Sequence, residues 1–416
     1  MKKIRIGVLG ATRGLEIVER SFDSFDEFEV VAICDIYQPV LDFAREKCLS
    51  FGKVVRCVTD FEELLVDDID GVILANYATE HASYAIRALK AGKHVMSEVL
   101  PTQNMAEAVE LVEAVEESGK VYTYSEQYCY FDSVFDMRLR FERGEIGTPT
   151  CVEGEFIHDC SSKWPRLTRG DRNHWRNHVP STFYCTHSIG PMLYITGERP
   201  LTIVGAECAP QNYMKEVGAR SGSAAIEMMM LTNGVMATSK HGNLRRGWRC
   251  YFAVYGTKGT LECDHHNYCT SVEYEFLTGK CDSERVQNTF RPEWGEEVAS
   301  IKRKGEKPET CALRCFIGAI NGDPVAKKYM IDVYSALDMS IPGILAYRSI
   351  LNGNTPIPMP DFRDKAQREQ YRNDRACTDP KVAGDQLLPS NSFYEVDTPQ
   401  EVYDIVRQRF LNKDTD

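Results

Sequence analysis

Long hydrophobic runs are missing from this chain, and no stretch approaches the ~18–20 apolar residues a membrane-spanning helix requires. Basic charge is in deficit too: 49 Lys and Arg face 61 Asp and Glu, a formal net charge of −12. That balance argues against nucleic acid as a partner, since its phosphates demand a basic surface. The 15 cysteines are scattered and form no CxxC pair, so neither a disulfide framework nor a zinc site is read from them. Reduced cytoplasmic thiols are the expectation, with Cys34 and Cys250 packing as small core residues. Met1-Lys2-Lys3 opens like an export signal, but the apolar run behind it is broken at Arg5 and ends in Gly10 and Arg13. A first strand is therefore expected rather than a leader. Internal repeats and low-complexity segments are likewise absent.

What is present is an ordinary globular composition, 43% hydrophobic and 26% charged over 416 residues, a length that calls for two domains. Ile4–Leu9 runs into Gly10-Ala11-Thr12-Arg13-Gly14, and a second apolar strand ends in Cys34-Asp35. Strand, Gly-rich turn, helix and a second strand closed by a carboxylate form the opening of a dinucleotide-binding unit. Gly10 fits the first glycine, while Thr12 and Leu15 occupy the places of the second and third, with Gly14 one place early. The turn Gly10, Thr12, Arg13 and Gly14 is assigned to the cofactor pyrophosphate. Asp35 is assigned to the ribose hydroxyls, where it repels a 2′-phosphate, so NAD is expected rather than NADP.

Apolar strands alternate with helices to about residue 125: Gly71–Ala75, a helix through Ala82, Ala85 and Leu89 closed by Gly92, Lys93–Glu98, a helix from Met105 ending at Gly119, and Val121–Ser125. Beyond residue 130 strands dominate, with Asn233-Gly234 as a hairpin turn between Ala225–Leu231 and Val235–Lys240. Thr310–Leu351 returns to helix, kinked at Pro342 and closed by Asn352-Gly353. The fold class is α/β: a Rossmann domain with a doubly wound parallel sheet over 1–126, then an α/β domain with a largely antiparallel open sheet over 127–416. The latter is expected to bind substrate and to oligomerise, with a polar C-terminal wrap from about 355.

Gly71–Ala75, His81 and Ala91–Glu98, with Gly144-Glu145-Ile146-Gly147-Thr148-Pro149 and Gly256-Thr257-Lys258-Gly259-Thr260-Leu261, resemble the Gfo/Idh/MocA oxidoreductase family. The resemblance spans roughly residues 4–350 and implies a nicotinamide cofactor, a sugar-like substrate and a C-terminal sheet that mediates oligomers. Most of the family carries Glu-Lys-Pro where this chain has Glu98-Val99-Leu100-Pro101, and Val99 moves no proton. Ser97-Glu98-Val99, Glu126–Tyr130, Glu155–Asp159 and Tyr184–Pro191 are similar to a narrower branch, the NAD-dependent glycosidases of glycoside hydrolase family 109. That branch also lacks the lysine and uses a Tyr-x-x-His pair, the spacing of Tyr184 and His187.

Half of the tryptophans and four of the nine histidines fall between His158 and His187, a density that points to a site rather than to chance. Tyr184, His187, Tyr128 and His174 are the candidate catalytic groups. His158, Trp164, Trp175, Arg176 and Asn177 are the candidate substrate contacts, aromatic faces for sugar C–H groups and polar side chains for hydroxyls. His81, Glu98 and Gln127, at or just past the carboxyl ends of the parallel strands, join the cofactor set. Asp171, His174, His178 and His187 form the alternative of a metal set, although compact zinc spacing is absent. His241, Asn243, Arg245 and Arg246 follow a strand and are read as a solvated turn, with reach into the cleft as the alternative, and His265-His266 as a polar loop. The expected activity is oxidation of a glycoside at C3 with redox-neutral cleavage. A sugar or cyclitol dehydrogenase releasing NADH and an inert sugar- or NAD-binding regulator are the alternatives.

Overall fold

The computed structural model describes residues 3–66, 68–263, 271–276 and 285–412; His265 and His266 lie outside them. The chain forms two compact units, one of residues Met1–Asp132, Glu293–Leu337 and Asp361–Asn373, the other of Ser133–Pro292, Asp338–Pro360 and Asp374–Asp416. A single boundary near residue 126 does not describe this division, because two later segments return to the first unit.

The first unit is built on β1 (Ile4–Leu9), β2 (Phe28–Cys34), β3 (Arg56–Val58), β4 (Gly71–Leu74), β5 (His94–Ser97) and β6 (Tyr122–Tyr124). They pair in the order β3-β2-β1-β4-β5-β6, all parallel. Ile6, Val8, Val72, Ile73, Val95 and Met96 are fully buried, as strands covered on both faces must be. Asn104 caps the helix Met105–Ser118 by accepting from Glu107 N, and Gly119, at φ 61°, ends it. The helix Pro308–Ile320 belongs here and brings Phe316 against the sheet at Gly71. Part of the C-terminal segment is pinned to this unit as well: Arg368 grips Glu116 through both guanidinium nitrogens, and Arg372 pairs with Glu113. Ion pairs thus fix a stretch whose polarity reads as surface wrap.

The second unit contains β7 (Pro149–Ile157), β8 (Pro200–Glu207), β9 (Ala224–Leu231), β10 (Met236–Gly242), β11 (Arg249–Gly256), β12 (Gly259–Cys263), β13 (Ser271–Phe276), β14 (Arg285–Phe290) and β15 (Ile357–Pro358). Their order is β14-β13-β12-β11-β7-β10-β9-β8-β15. Every neighbouring pair is antiparallel except β7 and β10. Asn233 and Gly234, at φ 58° and 76°, make the expected turn between β9 and β10.

The helix Thr186–Thr196 covers one face of this sheet and lies so close that a Cβ on Gly154 would stand 2.2 Å from Ser188 O. Met228, Met230, Met236 and Ile226, 44% to 54% exposed, lie on the opposite face. The segments Gly144–Pro149 and Gly256–Leu261 meet each other: Lys258 N donates to Ile146 O at 2.9 Å and Thr257 N to Thr148 O at 3.0 Å. The helical stretch expected from Thr310 to Leu351 is three helices, Pro308–Ile320, Pro324–Tyr329 and Val333–Leu351. Its first break falls at Gly322, φ 86°, and the last helix runs on through Pro342.

Candidate functional site

Candidate groups lie in both units. In the first, the turn after β1 is shaped by two glycines. Gly10 has φ 94°, and a Cβ there would come within 2.3 Å of Ala75 O, while a Cβ on Gly14 would meet Val8 Cγ1 at 2.3 Å. Gly14 therefore does what the last glycine of the usual fingerprint does, letting helix and strand pack closely. Thr12 is exposed and its side chain caps nothing.

Asp35 follows β2 and ties the turn to it, with Oδ2 accepting from Ala11 N at 2.9 Å and Oδ1 from Tyr37 N at 3.0 Å. Each carboxylate oxygen retains a lone pair for a ribose hydroxyl. A backbone cradle that a Cβ would fill and a half-buried carboxylate beside it fit a dinucleotide.

Arg13 is the centre of a polar network that joins the expected cofactor residues. Its Nε donates to Glu98 Oε1 at 2.8 Å, one terminal nitrogen to Gln127 Oε1 at 3.2 Å, and the other to Glu16 and Glu309 at 3.2 Å. Burial opposes the charge on Arg13, but Glu98 and Glu309 outweigh it and hold the guanidinium above its ordinary pKa. Glu309 comes from a helix nearly three hundred residues away, and no local pattern marks it. His81 is 1% exposed; its Nδ1 donates to Leu100 O at 2.8 Å. Burial pushes its pKa down to about 4, against the pull of the Leu100 bond. The ring is thus neutral, and its buried Nε2 has no hydrogen-bond partner among the described residues. Tyr128 is buried in this unit with its ring edge-on to Phe131, centroids 4.7 Å apart.

In the second unit a run of rings assembles beside the start of the helix Thr186–Thr196. Tyr184 and His187, three residues apart, stack at 5.6 Å and 18°, and His187 N donates to Tyr184 O at 3.3 Å. The i, i+3 spacing puts both on one side of the turn entering the helix. Strand alternation in β7 gives Phe156 and His158 one face. Phe156 contacts both histidines, 4.7 Å from His187 and 6.1 Å from His158. Lys163 Nζ donates to His158 Nε2 at 3.3 Å. Burial first, then Lys163 and His187, lower the His158 pKa and keep its ring neutral.

Arg176 lies over Trp175 at 4.4 Å and over Tyr184 at 5.4 Å, a cation–π arrangement that fixes both rings. Phe156 and Lys163 are the residues that reasoning from the sequence missed. Phe156 stands inside the Glu155–Asp159 motif and was findable from the strand period.

Other expected members of this set have partners within the second unit. Trp164 packs with Met214, Val217, Ala219 and Val406, and its indole N–H donates to Asn177 Oδ1 at 2.9 Å. Asn177, 1% exposed, also donates to Asp171 O at 3.0 Å. His174 Nδ1 accepts from Arg176 N at 3.2 Å. Burial, then Arg176, lowers its pKa to about 4. No group of three or more His, Cys, Asp or Glu side chains among the described residues has metal-binding geometry, so Asp171, His174, His178 and His187 form no such group.

His241 is not in a solvated turn. It is the penultimate residue of β10, 1% exposed, with Nε2 at 2.6 Å from Oε1 of the fully buried Glu227. The polar run Lys240–Asn243 gives no hint of a partner on the neighbouring strand.

Among known proteins, residues 4–126 match the model of the Gfo/Idh/MocA oxidoreductase family, NAD-binding Rossmann fold. Over 395 residues the chain is 26% identical to glycosyl hydrolase family 109 protein 2 of Phocaeicola vulgatus, covering 86% of this chain and 94% of that one. It is 26% identical over 331 residues to an alpha-N-acetylgalactosaminidase of Bacteroides fragilis, 71% and 76% of the two chains. An inositol dehydrogenase homolog from Azotobacter vinelandii, solved with NADH and myo-inositol, has the same fold. The TM-score is 0.70 at 18% identity, covering 86% of this chain and 98% of that one. No helix among the described residues is long and apolar enough to cross a membrane. Residues 4–126 are an NAD-binding Rossmann domain of the Gfo/Idh/MocA oxidoreductase family, and the chain that continues from them is an NAD-dependent oxidoreductase similar along most of its length to glycosyl hydrolase family 109 proteins.

Proposed function

We propose that this enzyme cleaves a glycoside by transient oxidation at the sugar C3, with no net redox change. The stacked Tyr184–His187 pair carries the reading, because Val99 leaves the proton transfers to other groups and this pair supplies two. NAD, which the Gly10 turn and Asp35 would hold, would supply the acceptor and donor for the C3 hydride.

One member of the pair accepts the C3 hydroxyl proton as the carbinol becomes a ketone. The ketone acidifies the C2 proton, which a base removes while the C1–O bond breaks and the aglycone departs with a proton. Water adds to the C1–C2 double bond, and C3 is reduced again. Histidine suits both directions near neutral pH. Trp175, Arg176 and His158 are assigned to the sugar, one face stacking and two polar groups meeting hydroxyls. Tyr128, His81, Glu98 and Gln127 are assigned to the nicotinamide end of the cofactor.

A panel of chromogenic glycosides, followed at the NADH wavelength with and without added NAD, tests this. Aglycone release without net NADH is the expected result. Stoichiometric NADH would instead make the protein a sugar or cyclitol dehydrogenase.

NAD is preferred over NADP because Asp35 opposes a second negative charge in a partly buried crevice. Asp35→Ala is expected to weaken NAD by about tenfold or more and to narrow the preference, as titration with both cofactors reads. Equal affinity of the unaltered protein for the two would remove the assignment.

The exposed face carrying Met228, Met230 and Met236 pairs two copies of this chain in our reading, since apolar patches of this kind mark interaction surfaces. Light scattering of Met228→Asp is expected to give a monomer where the parent gives an oligomer. The free state of all thirteen cysteines among the described residues supports a reducing, cytoplasmic setting.

A further inference from the structure

The first unit holds a cleft of about 310 Å³ that the proposed reaction does not use. Arg20, Arg303, Lys304 and Lys307 line it together with Ser24 and Thr310. On a chain of net charge −12, four cations around one concavity is a local inversion of sign.

These charges are only partly compensated. Arg20 is tied to Glu309 Oε1 at 2.6 Å, and Arg303 donates to Ser24 O at 2.7 Å, a neutral partner. Lys304 and Lys307 make no ion pair among the described residues. The cleft's own carboxylate, Glu306, is turned inward, its side chain 6% exposed and paired with the buried Arg314. The helix Pro308–Ile320 begins at the same place, with Lys307 as its N-cap and no side chain capping it. An uncapped helix start adds positive potential to that of the side chains.

Arg20 ends the helix Arg13–Glu19 that starts at the nucleotide turn, so about 10 Å of helix separates cleft from turn, and Glu309 Oε1 bridges the two by accepting from both Arg20 and Arg13.

We propose that the cleft is a binding site for a small phosphate-bearing anion, distinct from the NAD site. A dianion matches three positive groups that lack acidic partners. Arg303 offers a planar fork of donors and the lysines offer mobile point charges, while the Ser24 and Thr310 hydroxyls donate to Arg20 O. Free phosphate and a phosphate monoester share this chemistry.

The test is calorimetric titration of the NAD-saturated full chain at fixed ionic strength, with inorganic phosphate, glycerol 3-phosphate and acetate as probes. Saturable binding of the phosphates but not of acetate is expected. Tighter binding of glycerol 3-phosphate identifies a monoester as the ligand class, and tighter inorganic phosphate identifies the free ion. The double variant Lys304→Ala, Lys307→Ala, altered only at exposed positions, is expected to lose affinity by about tenfold or more while keeping its NAD affinity. Arg303→Gln should weaken the same event. No saturable phosphate binding, or equal affinity in the parent and the double variant, would overturn the site.

Discussion

His187→Ala is expected to lower glycoside turnover by about 10²–10⁴-fold, the usual contribution of a positioned general acid or base. Tyr184→Phe, which keeps the ring and removes only the hydroxyl, should fall in the same range. NAD affinity should barely change in either, because both residues belong to the second unit whereas Gly10, Asp35 and Arg13 belong to the first.

The comparison with Phe is informative because Tyr184 also packs: its ring stacks on His187 and carries Arg176 above it. A packing role survives Tyr184→Phe, and a proton-transfer role does not. Trp164→Phe provides the contrast, since Trp164 sits in the cluster with Val406 and should lower thermal stability before it touches turnover. Full activity in the His187 variant would reduce that histidine to a core residue.

Gly10→Ala is expected to abolish NAD binding and to destabilise the first unit by about 3 kcal/mol or more, because two independent costs coincide there. The residue has φ 94°, and the added Cβ would stand 2.3 Å from Ala75 O. Ala75 has little freedom to give way, since its N–H donates to Leu9 O at 2.8 Å at the end of the sheet. Gly119→Ala is the matching control: φ is 61° but nothing lies within 4 Å of the new Cβ. Only the conformational cost of about 1 kcal/mol remains there. Cofactor titration and thermal unfolding of both variants measure the difference, and similar behaviour of the two would show that the turn at Gly10 is not under the constraint described.

Local signals carried far in this chain. The parallel strands announce themselves as buried apolar runs, and Asn233-Gly234 sets its hairpin because both residues adopt positive φ. Gly14 looked misplaced against the usual glycine spacing, yet its contact with Val8 meets the same packing need. Tyr184 and His187 were legible because three residues at a helix start suffice to stack two rings.

Contacts between distant segments were not legible. Glu309 reaches Arg13 from a helix that composition assigns to the second domain, and Arg368 grips Glu116 from a tail whose polarity reads as solvated. His241 was misjudged because its partner Glu227 is hidden within the apolar strand β9. Trp164 and Asn177, read from the sequence as sugar contacts, meet each other in the core, indole N–H to amide oxygen, a pairing that their density near the histidines does not reveal.

Transient C3 oxidation makes the C2 proton leave and return within each turnover, which direct displacement at C1 does not require. The measurement that tests this most directly is glycoside cleavage in D₂O with NAD-loaded protein, followed by mass and NMR analysis of the released sugar. The account predicts deuterium at C2 of the product and a slower rate with substrate deuterated at C3 wherever hydride transfer limits turnover. Aglycone release at full rate with C2 still bearing its original hydrogen would contradict it.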